Sequence, residues 1–208
     1  MSQSEHAKFD PQGEVTFDLP FGQVHIDGAP SRVMVPADAL IALCESAGPQ
    51  QVAELGRSIG DAIGRRMRQR LGGAAGEVDA KQQAVRSAPF EQVIEHLAGE
   101  VALIGLGSVS AERWGRALVL VVERSPLTPA DGGDDMVGDS LLGDVLAAAM
   151  AAATGAQAQA VRLAREGDKV RFAILSPSSA GGVRSRIAAG HGWGDLLAKL
   201  HAPKGGVQ

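Results

Sequence analysis

The amino-acid sequence predicts an α+β domain in which an antiparallel sheet packs against helices, with a β-hairpin on its N-terminal side. Three observations carry this. Residues 114–123, ending in LVLVVE, and the pair 158–165 and 169–175 are rich in β-branched side chains and bounded by turn residues, the signature of strands. Residues 50–71 repeat apolar side chains at spacings of three and four, the period of an amphipathic helix. With 208 residues, 45% of them hydrophobic, the chain can bury a sizeable core without covalent staples.

From the N-terminus, residues 14–19 (EVTFDL) and 23–27 (QVHID) alternate apolar with polar around Pro20 and Gly22, which predicts two short strands joined by a turn. Ala29, Pro30 and Ser31 break that pattern. Pro36 then leads into a helix with Leu40, Ile41 and Leu43 on one face, ending at Gly48 and Pro49. The helix over 50–71 aligns Val52, Leu55, Ile59, Ile63 and Met67, and it also carries Gly56, Gly60 and Gly64 at four-residue intervals. Each glycine costs about 1 kcal/mol of helix propensity relative to alanine, so this face is expected to meet something at close range. Arg57, Arg65, Arg66, Arg68 and Arg70 gather toward the C-terminal end, where cations suit the helix dipole. Residues 72–89 read as a small polar linker.

Phe90, Val93, Ile94, Leu97, Val101 and Ile104 repeat the helical period up to Gly105-Leu106-Gly107, and residues 114–123 predict a central strand. An exposed loop follows over 126–135. Asp139 or Ser140 is expected to cap a helix over 141–154, with Gly155 closing it in a left-handed conformation. Strands 158–165 and 169–175 form a hairpin around Glu166-Gly167-Asp168, and Ser176-Pro177 ends the second. A helical piece over 182–189, the segment Gly190-His191-Gly192-Trp193-Gly194 and a short helix over 195–201 complete the chain. The expected organisation is a disordered leader over 1–13, an α/β domain over 14–176, and a helical docking segment with a tail over 177–208.

Composition removes several classes of function. A formal net charge of -4, only 3% aromatic residues and no tyrosine disfavour nucleic acid, which needs cationic surface and stacking platforms. Cys44 is the single cysteine, so no internal disulfide forms, and no Cys/His spacing suits zinc. The first thirteen residues show neither the basic nor the apolar region of a signal peptide, and a reducing, cytoplasmic setting is expected. The apolar run 141–153 is interrupted by Asp144 and falls short of the roughly 20 residues of a bilayer span.

Catalytic signatures are weak. No G-x-S-x-G elbow follows a strand, and Ser108 in GLGSVS reads as a turn residue. The same stretch follows a helix and lacks the third glycine of a dinucleotide loop. His6, His25, His96, His191 and His201 are scattered, so neither a metal nor a cofactor is expected.

The ordered series VPADALIAL, LGRSIGDAIG, LIGLGSV, WGRALVLVVE, LLGDVLAAAMAAATG and GDKVRFAIL resembles the vinyl reductase domain family, a module related to the core components of the TRAPP tethering complexes. The resemblance spans 32–176 and implies an adaptor or ligand-binding fold. Where many such domains carry cysteines, this chain has Val161, Leu163 and Val170, so the resemblance implies no thiol or metal site. FEQVIEHLAGEVALIGLGSV, GRALVLVVERSPL and SLLGDVLAAAMAAAT are also similar to the cellulose synthase D-subunit family, which implies a scaffold of a polysaccharide secretion system.

The reading that joins these observations is a non-catalytic binding module, homodimeric or larger, that takes a protein partner or a small apolar ligand. Its alternative is the secretion scaffold. A tetrapyrrole reductase, as the resemblance to the vinyl reductase domain implies, stands only third, because no cofactor motif or proton donor can be named. Gly56, Gly60 and Gly64, with the small side chains of Ala148 and Ala152, are open to three uses: packing within the chain, contact with a second copy, or contact with a slender ligand. Arg65, Arg66, Arg68 and Arg70 are either a solvated helix end or a contact for an acidic partner. Trp193 is either a helix anchor or a docking side chain.

Overall fold

The computed structural model describes residues 15–26, 29–73, 76–114, 117–128 and 137–194. The expected leader over 1–13 and the helix and tail over 195–208 lie outside them, as does most of the expected loop over 126–135. The architecture is α+β, with two antiparallel sheets and six helices among the described residues.

The N-terminal hairpin forms as β1 (Val15–Asp18) and β2 (Gln23–Ile26), with Gly22 left-handed in the turn at φ 64°. The structure adds β3 (Ala29–Arg32), where the sequence shows only a break. Pro30 is tolerated there because β3 is the outer strand, where a missing N–H interrupts no interior ladder.

The helices follow as α1 (Ala37–Ser46), α2 (Pro49–Gly72), α3 (Val78–Ser87) and α4 (Phe90–Leu103). Helix α3 replaces the expected linker. Its sequence, VDAKQQAVRS, hides little apolar surface, and Val85 is the one residue it buries. Arg86 near its end donates to the Thr154 carbonyl at 2.6 Å, tying it to a neighbouring helix.

The second sheet has the order β4-β5-β7-β6, all antiparallel, with β4 (Ser108–Trp114), β5 (Ala117–Glu123), β6 (Gln159–Glu166) and β7 (Lys169–Leu175). Strand β4 opens on Ser108, whose hydroxyl donates to the Glu123 carbonyl across the ladder. Gly167 takes a left-handed φ of 61° in the two-residue turn between β6 and β7.

Both faces of this sheet are covered. Leu120, Val122, Val170 and Phe172 face a large core shared with α1, α2, α4 and α5 (Val137–Thr154). Val119, Val161, Leu163, Ala173 and Leu175 face the opposite way, onto Ala180 and Val183 of α6 (Pro177–Ala188). Alternation of side chains along each strand sends neighbours to opposite faces, which explains why β5 is apolar nearly throughout.

Helix α6 lies beyond the expected boundary at 176 and packs on the sheet. Pro177 starts a helix at its first position, where a missing N–H costs nothing, and that helix closes the second core. Trp193 packs edge-on against Trp114, ring centroids 4.7 Å apart, in the anchoring manner.

Candidate functional site

The glycine row of α2 is met by α5 of the same chain. A Cβ at Gly56 would stand 2.6 Å from the Asp144 Cβ, one at Gly60 2.6 Å from the Ala148 Cβ, and one at Gly64 2.6 Å from the Ala152 Cβ. Residue numbers rise together along the two helices, so they run parallel, each glycine receiving one step of a four-residue row. This close approach is the use to which the glycines are put. It covers them, leaving a second copy or a ligand no access, although Ala148 also lines an adjoining cleft.

The arginine run is likewise largely spent within the chain. Arg66 and Arg70 donate through Nε to the two carboxylate oxygens of Glu100 at 2.5 and 2.9 Å, and Glu100 is 1% exposed. Arg68 donates to the Ala152 carbonyl in the last turn of α5, where carbonyls lack helical partners. Arg65 is exposed. Three of the four arginines expected as a partner contact thus fasten α2 to α4 and α5.

Asp139, expected as a cap, lies inside α5 with 2% of its surface exposed and accepts from Arg162 at 2.9 Å and from Arg165 at 3.2 Å. This pair of bonds fixes the start of α5 to the edge strand β6.

The feature with room for chemistry is a cleft of about 440 Å³ between α2, α5, the start of β6 and α6. Ala53, Ala147, Ala148, Ala151, Ala158 and Ala160 leave the space by being small. Arg57, Asp61, Asp144 and Arg184 supply the charge. A second hollow of about 770 Å³ continues it past Gly143 and Phe172, and both are lined by Asp144, Ala160 and Arg184.

Arg184 reaches around the β6 edge from the opposite face of the sheet. Its Nη1 donates to Gln159 Oε1 and its Nη2 to the Ala160 carbonyl, both at 3.1 Å, which sets the guanidinium at the cleft wall. Asp144 is half-buried. Burial pushes its carboxyl above the ordinary value of 3.8, against the opposing pull of Arg184 and Arg57.

Of the three uses open to the glycine row, α5 takes up packing within the chain. In the sequence Asp144 registers only as an interruption of an apolar run. Among the described residues no cluster of three His, Cys, Asp or Glu is placed to hold a metal ion. Helix α5 is long and apolar enough to cross a membrane by length and composition, but 56% of it is buried within the fold, as in a core helix.

No family model and no curated protein matches the chain. Among solved structures it is similar to the crystal structure of the phenol-responsive sensory domain of the transcription activator PoxR with phenol. The TM-score is 0.55 at 12% sequence identity, over 92% of this chain and 94% of that one. At that identity the likeness is one of fold, extending over nearly the whole of both chains.

Proposed function

We propose that this chain is a non-catalytic ligand-binding module with a regulatory role, and that it takes one small molecule in the cleft between α2, α5, β6 and α6. The observation that carries the reading is the cleft itself: a concave space whose alanines leave room and whose charged groups, Arg57, Asp61, Asp144 and Arg184, converge on it. Support comes from the PoxR sensory domain, a domain of the same fold described as phenol-responsive. Fold alone does not transfer function, so the cleft and not the likeness is what must be tested.

Native mass spectrometry of the protein purified from its source provides that test. The expected result is a retained small molecule, one per chain, that is absent from the Ala158→Trp variant. The bare chain mass alone under gentle conditions, for the natural chain and the variant alike, would count against the reading.

The N-terminal sheet is, on the same reading, the surface through which two copies associate. Phe17, Leu19 and Phe21 are 58%, 82% and 78% exposed, and Val33, Met34 and Val35, just after β3, are exposed as well. Large apolar side chains exposed on one small sheet suit an interaction surface.

A further inference from the structure

Within the run LLGDVLAAAMAAAT one residue, Asp144, carries a charge, and it stands where packing asks for a small neutral side chain. Asp144 occupies the first step of the row that Ala148 and Ala152 continue, opposite Gly56. Alanine would serve there equally well for contact. Burying a carboxylate instead costs free energy unless partners compensate, and among the described residues no hydrogen bond or ion pair holds this one. Unlike Glu100 and Asp139, each bound by two arginines, it opens onto a cleft.

The groups facing Asp144 decide what the cleft accepts. Helix α2 presents Arg57 and Asp61, α6 presents Arg184, and the adjoining hollow holds Asp139 already paired with Arg162. Two carboxyl groups, Asp61 and Asp144, stand against two guanidinium groups, Arg57 and Arg184. Half-buried Asp144 is the carboxyl that burial favours in its protonated form, and a proton there leaves the cleft with surplus positive charge, which suits an incoming anion. Arg184 is set in place before any ligand arrives, which lowers the ordering cost of pairing with a carboxylate.

Resting on the ligand-binding reading above, we infer that the cleft binds a small organic carboxylate with a compact apolar body. Its headgroup lies against Arg184 and Arg57, its body lies on the alanines, and Asp144 takes up one proton from solvent as it binds.

Benzoate, benzamide and benzamidine offer one shape in anionic, neutral and cationic forms, so a titration of the full chain with each separates the possibilities. The readouts are the NMR signals of the Asp144 carboxyl carbon and the Arg184 Nε, with calorimetry in two buffers of different ionisation enthalpy to count protons. Benzoate is expected to move both signals, to bind about tenfold or more weaker near pH 8 than near pH 5, and to bring proton uptake. Arg184→Gln and, independently, the exposed Arg57→Gln each lower its affinity about tenfold, the loss of one charge-assisted pairing. Asp144→Asn retains binding but abolishes the proton uptake. If benzamide or benzamidine moves these signals and benzoate does not, or benzoate binds without proton uptake, the carboxylate inference is overturned while the ligand-binding reading stands. If none of the three perturbs the cleft, the carboxylate inference falls, and the ligand-binding reading stands or falls on the native mass spectrum.

Discussion

Individual side chains set the tolerances of this fold. Gly60 meets the Val145 carbonyl and the Ala148 Cβ, so Gly60→Ala gains about 1 kcal/mol of helix propensity but forces α2 away from α5. A net loss of about 1–3 kcal/mol in urea unfolding is expected. Glu100→Ala leaves Arg66 and Arg70 without their shared acceptor, and a loss of about 3–5 kcal/mol is expected by the same measurement. Asp144 behaves in the opposite sense. The folded chain holds its proton more tightly than the unfolded chain does, so the Asp144 contribution to stability is greatest below the ordinary value of 3.8 and is lost as pH rises through the folded value. Asp144→Asn is expected to melt higher than the natural chain at neutral pH, with the difference vanishing below about pH 4 in a pH series of thermal melts. One of these positions was legible in sequence, since the glycine spacing announces a close approach; Asp144 counted there only against a bilayer span. Glu100 was missed, although it stands seven residues after Val93 and three after Leu97, on the very stripe that packs inward.

Elements were legible where their periodicity is strong. The helices now labelled α2, α4 and α5 and the β6-β7 hairpin lie within a few residues of expectation, because each buries a regular apolar face. Elements held by few apolar contacts were not. Helix α3 buries a single valine; β4, SVSAERW, is polar along most of its length; β3 contains a proline. Helix α6 illustrates the cost of reading Pro177 as a stop, since proline suits a first helical turn as well as a strand end. Deleting the chain from Pro177 would uncover Val119, Val161, Ala173 and Leu175 together. Such a truncation is expected to lose its cooperative thermal transition and to bind an apolar dye, whereas Trp193→Ala, which removes one aromatic contact, costs only about 0.5–1.5 kcal/mol beyond its buried area.

At the scale of the whole molecule, the parallel pairing of α2 with α5 places residues 53–61, 144–160 and 177–184 around one cleft. No local pattern announces that meeting, because the contributing segments are separated by long stretches of chain and only tertiary packing joins them. The N-terminal sheet stands apart from this arrangement, and its exposed Phe17 and Phe21 predict association. The natural chain is expected to sediment as a dimer and Phe17→Ser with Phe21→Ser as a monomer at the same concentration, with the thermal transition of the main domain unchanged. Ligand binding in the cleft is tested most directly by a crystal structure of the protein purified from its source. Difference density for a small molecule is expected between Asp144 and Arg184, lying on Ala147, Ala148 and Ala151. A cleft holding only water, with a retained molecule seated elsewhere on the chain, would contradict it.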